Sequence, residues 1–384
     1  MSVPCQILID VYYSSVIPKR TVKNFKTKFG EIPLPVFFPD ATRAVIKTLD
    51  SADIENTKTP GILVNTYHLY KDLGKKVLEK NDGIRQFMSW SGAVISDSGG
   101  FQVMSLAKSG ENKGVINDEG VTFKDAAGKK TKLTPEDSIR FQMLLKTDMV
   151  VVLDDFTEPG STYEKAKETV ERTILWAKKS KEEFLKICKK EKIKKENRPY
   201  LLGVVQGGEF LDLREYCTKE LVKIGFDGLG YGGWPMKDNG DFNFDVPRVI
   251  AENSPENYLL YGLGVGKPED IVGCFDLGFY IYDCVLPTRD ARHSRLYVYN
   301  ANTINDINIR EDNFYSFFDP SKQKYKNDIE PVSTACDCLL CKKYSRSYLH
   351  HLFKNDETTA LRLATIHNLR FYSLLMEEFR KRAI

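Results

Sequence analysis

The sequence predicts an α/β fold, a (β/α)8 TIM barrel, followed by a C-terminal zinc-binding subdomain. Short, almost purely apolar segments recur eight times, and most stretches between them have the periodicity of helices. Strands that are buried on both faces lose the alternation of polar and apolar residues, which is typical of parallel barrels. A group of cysteines near the C-terminus predicts the zinc-binding subdomain.

The eight apolar segments divide the chain into three parts. The predicted strands are Leu34–Phe38, Gly61–Asn65, Ala93–Ser96, Met149–Leu153, Tyr200–Val205, Gly228–Gly232, Tyr258–Gly262 and Tyr280–Cys284. We predict an N-terminal cap segment at residues 1–30, the barrel at 31–300, and a zinc-binding and helical tail at 301–384. Because the stretch Ser105–Leu133 is rich in Gly, Asn and Asp, it is predicted as an excursion, a small hairpin or a lid.

The composition excludes several classes of protein. A chain of 384 residues with 42% hydrophobic and 28% charged residues is ordinary for a soluble globular protein. The net charge of +3 does not indicate a nucleic-acid partner, so any basic surface must be local. The sequence has no apolar run long enough for a membrane span and no secretory signal at its N-terminus. We therefore expect a cytoplasmic protein with no membrane partner.

Polar residues and glycines follow the predicted strands where a barrel carries its active site. They include Asp97, Asp154, Gln206, Gly233 and Asp283. Because the sites of such barrels lie at the C-terminal strand ends, these residues should meet around one opening. Each acid could instead cap the helix that follows it. The prediction of a site therefore depends on their joint placement.

A cysteine cluster near the C-terminus has the composition of a metal site. It comprises Cys336, Cys338, Cys341 and, after a helix-like stretch, His367. Three thiolates and an imidazole fill a tetrahedral zinc shell and leave no open position, so the zinc should be structural. His350 and His351 are rival fourth ligands by position alone.

Basic residues around this cluster predict a local surface for a polyanion such as an RNA backbone. They are Lys342, Lys343, Arg346, Arg362 and Arg370. The lysine-rich run from Lys178 to Arg198 has spacings that suit a long helix with a solvated face.

Several motifs occur along the chain in a fixed order. They are Asp97-Ser98-Gly99-Gly100-Phe101-Gln102, Gln206-Gly207-Gly208, Gly264-Val265-Gly266-Lys267-Pro268, Asp283-Cys284-Val285-Leu286-Pro287-Thr288-Arg289 and the cysteine cluster with its distant histidine. Together they resemble the tRNA-guanine transglycosylase family, from about Pro35 to Arg380. The resemblance implies a zinc-bearing barrel that exchanges guanine at the anticodon wobble position of certain tRNAs for a 7-deazaguanine.

The resemblance also implies a role for each site residue. Asp283 would be the nucleophile that captures ribose C1′ covalently, and Asp97 would be the general acid and base. The residues that would contact the base are Asp154, Gln206, Gly233, Ser98, Phe101 and Leu263. Arg289 and Arg292 would read anticodon bases, and the target base would leave the stack to enter the pocket.

Three motifs indicate which deazaguanine is used. Leu153-Asp154-Asp155, Gln206-Gly207-Gly208 and the run Thr288–Arg292 resemble the eukaryotic, queuine-using subunit. The loop Trp234–Asp238 resembles neither the bacterial nor the eukaryotic branch, and its Pro235 offers no N–H group. We expect queuine as the favoured incoming base, with 7-aminomethyl-7-deazaguanine as the alternative.

Two other functions stay open. A non-catalytic partner subunit of such an enzyme would keep the barrel and the zinc site without the full acid pair, and the presence of both Asp97 and Asp283 argues against it. A zinc hydrolase would need a vacant coordination position, which Cys₃His does not offer. For the enzyme itself we expect a homodimer whose partners are a tRNA with guanine at the wobble position and the incoming base.

Overall fold

The structure, a computed structural model, describes residues 19–108, 114–124, 130–233, 236–237 and 239–382. Its strands are β1 (Asn24–Thr27), β2 (Gly30–Pro33), β3 (Val36–Pro39), β4 (Gly61–Val64), β5 (Ala93–Ser96), β6 (Val115–Asn117), β7 (Gly120–Lys124), β8 (Lys130–Leu133), β9 (Met149–Val151), β10 (Tyr200–Val205), β11 (Gly228–Tyr231), β12 (Leu259–Gly262), β13 (Ile281–Cys284), β14 (Leu296–Tyr299) and β15 (Tyr315–Phe318). Its helices are α1 (Ser51–Asn56), α2 (Thr66–Asp72), α3 (Gly74–Lys80), α4 (Ile84–Met88), α5 (Gly100–Lys108), α6 (Pro135–Leu145), α7 (Tyr163–Lys190), α8 (Leu211–Ile224), α9 (Asp245–Glu252), α10 (Pro268–Asp276), α11 (Leu286–Arg292), α12 (Leu339–Lys343), α13 (Arg346–Lys354) and α14 (Thr358–Arg382).

Among the described residues, eight parallel strands form one sheet in the order β3-β13-β12-β11-β10-β9-β5-β4. The two end strands meet through a parallel bridge between Asp40 and Leu63, where the Ala41 N–H donates to the Leu63 carbonyl at 2.7 Å. The sheet thus closes into a barrel, and the predicted fold class is confirmed. Each of these strands begins and ends within two residues of its predicted bounds.

Side chains of the barrel strands alternate between the interior and the surrounding helices. On β3, Phe38 packs inside the barrel while Phe37 packs outside. On β13, Ile281 packs inside while Tyr282 packs outside. Both layers are apolar, which explains why these strands are read from the sequence as continuous apolar runs.

The N-terminal hairpin of β1 and β2 covers the end of the barrel where the strands begin. Phe25 is fully buried there, with its ring centroid 5.1 Å from that of Tyr200 and 5.7 Å from that of Phe38. The guanidinium of Arg20 donates to the carbonyls of Ser254 and Pro255 near the end of α9. The opposite end of the barrel is left open for a site.

The excursion between α5 and α6 is an antiparallel sheet of β6, β7 and β8. Its Phe123 packs in a small apolar cluster with Tyr67 and Trp176. The predicted excursion is thus present in the described part, but it has three strands and begins only after α5, which includes Ser105–Lys108. Residues 109–113 and 125–129 of the predicted stretch lie outside the described residues.

The C-terminal tail packs on the barrel through α14. Tyr372 contacts Phe37 of β3, with ring centroids 4.5 Å apart, and Asn368 donates to the carbonyls of Pro287 and Arg295 at both ends of α11. This contact fixes the segment that follows β13. The division at residues 30 and 300 stays a prediction. Among the described helices, none combines the length and apolar character needed to cross a membrane.

Candidate active site

A cavity of about 610 Å³ opens at the C-terminal ends of the barrel strands. Because strand side chains alternate, the residue two positions after the last inward-facing apolar side chain also faces inward, into the mouth of the barrel. The residues placed in this way are Asp40, Asn65, Asp97, Gln206, Leu263 and Asp283. The structure therefore brings together polar residues from distant parts of the sequence.

Asp97 is held by donors that follow two neighbouring strands, β4 and β5. Its Oδ1 accepts from the backbone N–H groups of Thr66 at 2.9 Å and Gly99 at 3.1 Å, and its Oδ2 accepts from Asn65 Nδ2 at 2.6 Å. Two donors occupy both lone pairs of Oδ1, so Oδ2 is the oxygen that can hold a proton. Burial raises the pKa of Asp97 to about 7, against the lowering effect of these backbone bonds. This carboxyl can both donate and accept a proton near neutral pH.

Asp283 is supported on one oxygen only. Its Oδ1 accepts from the Tyr261 hydroxyl at 2.7 Å and from the Gly264 N–H at 2.9 Å. Within the described part of the chain, Oδ2 has no hydrogen-bond partner, and Asp283 lines the cavity. Burial raises the pKa of Asp283 to about 6, while the bonds from Gly264 and Tyr261 lower it. The carboxylate is thus ionised at neutral pH and has one free oxygen, as a nucleophile requires.

A polar edge lies on the other side of the cavity. Gln206 is fully buried, and its amide donates to Asp154 at 2.6 Å and accepts from the Thr157 N–H at 3.2 Å. Burial raises the pKa of Asp154 to about 6, and the bond from Gln206 lowers it. Gly233, at φ +104°, lies beside them, and a Cβ there would come within 3.0 Å of the Arg214 guanidinium. This edge offers a carboxylate, an amide and the backbone after β11 to a planar polar ligand.

Apolar groups complete the cavity. Phe101, on the first turn of α5, is 56% exposed and meets Phe156 edge to face at 5.3 Å. Leu263 lines the cavity from the end of β12, and the absence of a side chain at Gly230 makes room for it. Ser98 also lines the cavity, but its hydroxyl accepts from the Gly100 N–H at 3.1 Å and so stabilises the turn. The cavity thus has apolar walls beside its polar edge.

The predicted metal ligands meet on the tail. The ligand atoms of Cys336, Cys338, Cys341 and His367 lie within 4.8 Å of one another. His367 Nδ1 lies 3.3 Å from Cys341 Sγ and 3.5 Å from Cys338 Sγ, while its Nε2 bonds the Tyr297 carbonyl at 2.8 Å. That second bond makes Nε2 the donor and leaves Nδ1 free for a metal. The donor set fits a closed, four-coordinate ion.

The rival ligands lie elsewhere. His350 Nδ1 bonds the Pro320 carbonyl at 2.8 Å, and His351 is exposed on α13. Among the described residues, the group that could hold a metal does not include either of them.

Comparison with known proteins identifies the family. The family model described as queuine tRNA-ribosyltransferase matches residues 19–384. A queuine tRNA-ribosyltransferase of Buchnera aphidicola subsp. Acyrthosiphon pisum (strain 5A) is 37% identical over 372 residues, which are 97% of this chain and 93% of the relative. This chain belongs to the queuine tRNA-ribosyltransferase family.

Other members of the family are similar to the same degree. The relative from Thermoanaerobacter sp. (strain X514) is 36% identical over 93% of this chain and 88% of its own length. The relative from Vibrio cholerae serotype O1 (strain M66-2) is 37% identical over 92% of this chain and 86% of its own length. The predictions that the chain belongs to this family and is a transferase enzyme are both confirmed.

The two predicted tRNA-reading arginines of this ribosyltransferase lie on α11, directly after β13. Arg289 lines the cavity, and its side chain is 52% exposed, 3.8 Å from Asp290. Arg292 is half-buried and donates to the Thr288 carbonyl at 2.7 Å. Among the described residues that line the cavity, Arg289 is included, whereas Arg292 lies one turn farther along α11 and is not.

The loop expected to select the incoming base is described in part. Met236 lines the cavity and forms an antiparallel bridge with Phe242. Trp234, Pro235 and Asp238 lie outside the described residues.

One prediction about the tail is wrong. Arg370 cannot contact an RNA backbone, because it is 2% exposed and bonded to Asp337 and Glu377. It lies on α14 one turn after His367, on the buried side of that helix. Two further members of the predicted surface are partly engaged in ion pairs, Arg346 with Asp328 and Arg362 with Asp53. Lys342 and Lys343 are exposed.

Sequence reasoning missed several residues that line or support the ribosyltransferase cavity. Asp40, Asn65 and Tyr261 could have been found from the two-residue alternation that follows each inward apolar side chain. Arg214 had no such signal, because it lies within α8 and turns back to donate to the carbonyls of Val205 and Gly232 at 2.6 Å. It fixes the backbone ahead of Gly233.

Proposed function

We propose that this enzyme exchanges guanine at the wobble position of a tRNA for a 7-deazaguanine through a covalent bond between Asp283 and ribose. The observation that carries the proposal is the pair of carboxyls in one cavity. Asp97 has a pKa of about 7 and Asp283 has one oxygen without a donor. A non-catalytic subunit would not need either arrangement.

In the first half of the reaction, guanine leaves. Asp283 Oδ2 attacks C1′ while the bond from C1′ to the base nitrogen breaks, and the electron pair of that bond moves onto guanine. Protonated Asp97 donates its proton to the departing base, so guanine leaves neutral. A retaining glycosidase forms its covalent intermediate in the same way.

In the second half, the incoming base takes the place of guanine. The carboxylate of Asp97 removes a proton from the nitrogen that will form the new bond. That nitrogen attacks C1′, and the bond to Asp283 breaks with its electron pair returning to the carboxylate. Both acids then have their starting protonation states, and the number of glycosidic bonds is unchanged.

We assign base recognition to the residues around the polar edge. Asp154, the Gln206 amide and the backbone of Gly233 would bond the polar edge of either base. Phe101 and Leu263 would enclose the ring, with Ser98 holding the turn beneath it. Support comes from the shared cavity and from the bond between Gln206 and Asp154.

We assign anticodon contacts to Arg289 and Arg292. Their guanidinium groups can form paired hydrogen bonds with base edges or phosphates. Arg289 lines the cavity and Arg292 follows one turn later on the same helix, which supports this assignment.

We propose queuine as the favoured incoming base. The family that matches this chain is named for queuine, and its relatives bear the same name. Met236 at the cavity wall supports a pocket of adaptable size, because an unbranched thioether can change shape around a ligand. The alternative is 7-aminomethyl-7-deazaguanine.

We further propose that the Cys₃His cluster binds a structural zinc ion. The donor set and the bond from His367 Nε2 to Tyr297 support zinc.

We also propose that the enzyme is a homodimer and that it acts in the cytoplasm. A second copy could cover Tyr344 and Tyr348, which stack at 5.2 Å, with Tyr348 41% exposed.

The test uses tRNA that carries radiolabelled guanine at the wobble position. Each deazaguanine should displace label only when enzyme is present, and the two bases in competition should favour queuine in kcat/KM. No displacement by either base would contradict the exchange. A preference for the aminomethyl base would contradict only the choice of substrate.

A further inference from the structure

Asp40 lies where the barrel closes, and the proposed reaction gives it no role. It follows β3 directly, bridges to Leu63 of β4, and lines the cavity. On the other side of β3, Phe38 pairs with Asp283 in the parallel register. Because Asp40 comes two residues after the inward-facing Phe38, it faces the same space as Asp283.

The carboxylate of Asp40 is positioned but retains acceptor capacity. Thr42 Oγ1 lies 2.6 and 2.7 Å from its two oxygens. A hydroxyl has one proton and can donate to one oxygen at a time, whereas a carboxylate offers about four lone-pair sites. The nearby Arg43 pairs with Asp72 at 3.2 Å. Asp40 therefore presents a half-buried acceptor to the cavity.

Among the described residues, the hydrogen-bond partners of Asp283 are donors. On the β12 side, Tyr261 and Gly264 both direct their hydrogens at Asp283 Oδ1. On the β3 side, Asp40 offers an acceptor to a hydroxyl group that lies beside Asp283. Asp40 is also close enough for its charge to add to the effect of burial in raising the pKa of both Asp283 and Asp97.

We propose that Asp40 positions the target nucleotide by accepting a hydrogen bond from its ribose 2′-hydroxyl. The inference rests on the proposed function, which requires C1′ to reach Asp283 Oδ2. C2′ is bonded to C1′, so its hydroxyl falls against the wall beside Asp283. Carboxylates recognise ribose hydroxyls in dinucleotide-binding folds, and the 2′-hydroxyl lets a protein distinguish RNA from DNA. Asp40 thereby favours a ribonucleotide at the target position.

The test compares two anticodon stem–loop RNAs that differ only in the sugar of the target guanosine, ribose or 2′-deoxyribose. Displacement of labelled guanine is measured for wild type and Asp40→Ala. Wild type should lose roughly tenfold to a hundredfold in kcat/KM on the 2′-deoxy substrate, the loss expected for a hydrogen bond to a charged group. Asp40→Ala should use both substrates at one equal, reduced rate, because the two changes remove the same contact.

Matched variants separate this contact from a general loss of structure. Asp212→Ala removes an exposed carboxylate on α8, outside the cavity, and should keep the full preference of wild type for ribose. Asp40→Asn keeps an acceptor oxygen of similar shape and should keep part of that preference. Thermal melting of each variant gives the fraction folded at the assay temperature, to which every rate is referred.

The outcomes distinguish the two proposals. Equal rates of wild type on the two RNAs would overturn the ribose contact and leave the proposed function intact. The same holds if the losses caused by Asp40→Ala and by the 2′-deoxy sugar multiply when the two changes are combined. If wild type displaces guanine from neither RNA, the proposed function is wrong, and so is the role of Asp40 that depends on it.

Discussion

Asp283 and Asp97 are held in similar ways but differ in pKa and in the hydrogen bonding of their second oxygen. Each has one oxygen that accepts two hydrogen bonds, which fixes the carboxyl plane. The other oxygen of Asp97 is bonded to Asn65, whereas the other oxygen of Asp283 has no donor among the described residues. The lower pKa of Asp283 suits a nucleophile, and the higher pKa of Asp97 suits an acid and base.

Asp283→Asn should abolish exchange with little change in fold or tRNA affinity. The amide keeps the shape of the side chain but cannot supply an anionic nucleophile. Wild type, tRNA and a deazaguanine should give a protein–RNA adduct that survives denaturing electrophoresis, and the variant should not. Full activity in the variant would move the nucleophile to Asp97.

The pH dependence of kcat/KM should be bell-shaped with a narrow optimum. Asp283 must lose its proton, so activity rises as pH increases through about 6, and Asp97 must keep its proton, so activity falls through about 7. Asp97→Asn should lower the rate by about 10²–10⁴-fold and remove the alkaline limb. A loss confined to base affinity, with turnover unchanged, would contradict the acid–base role.

At the scale of elements, α14 connects the metal cluster to the site. His367 joins the cysteine cluster, Asn368 bonds the backbone at both ends of α11, and Tyr372 packs on β3. A metal bound by this cluster would therefore fix α14 against the segment that carries Arg289 and Arg292.

One zinc ion per chain should be found by elemental analysis. Cys338→Ser should lower zinc content and the melting temperature, because the free energy of metal binding at a structural site stabilises the fold. His351→Ala is the matched control, since this exposed histidine lies outside the cluster, and it should retain the metal. Zinc-free purified protein, or unaltered melting of Cys338→Ser, would contradict the site.

Arg289→Ala and Arg292→Ala should each raise KM for tRNA more than KM for the free base. The loss should be about 1–3 kcal/mol for an arginine that bonds a base edge. Lys219→Ala, an exposed change on α8, serves as the control. The measurement is steady-state kinetics with tRNA and base varied separately. An equal rise in KM for tRNA and for the base would contradict the assignment.

At the scale of the whole molecule, docking of the tail leaves Tyr348 of α13 exposed, and its ring stacks on that of the half-buried Tyr344. Sedimentation of the purified enzyme should give the mass of a dimer. Tyr348→Ala should shift the equilibrium toward monomer, because it removes exposed aromatic area from the proposed interface. A monomer at all concentrations in wild type would contradict the homodimer.

Much of the site could be predicted because it follows strand ends. Asp97, Gln206 and Asp283 each stand directly after an apolar run, where parallel strands must bring side chains together. Arg214 could not be predicted in this way, because it lies within α8 and its side chain turns back to bond the Gly232 carbonyl just after β11. The loop at Trp234–Asp238 also could not be predicted, since no periodicity fixes the direction of a side chain in a loop.

The sequence by itself determined the family, the eight strands, the acid pair and the cysteine cluster, because these depend on local pattern and on motifs in a fixed order. Only the tertiary structure decided how they act. Asp40 belongs to the site only because the end of β3 pairs with β4 where the barrel closes. Arg370 is excluded from the predicted RNA surface because its side chain is buried. The pKa values of Asp97 and Asp283 likewise depend on burial among residues far apart in the chain. Burial and closure arise from contacts between distant segments, which a local pattern does not contain.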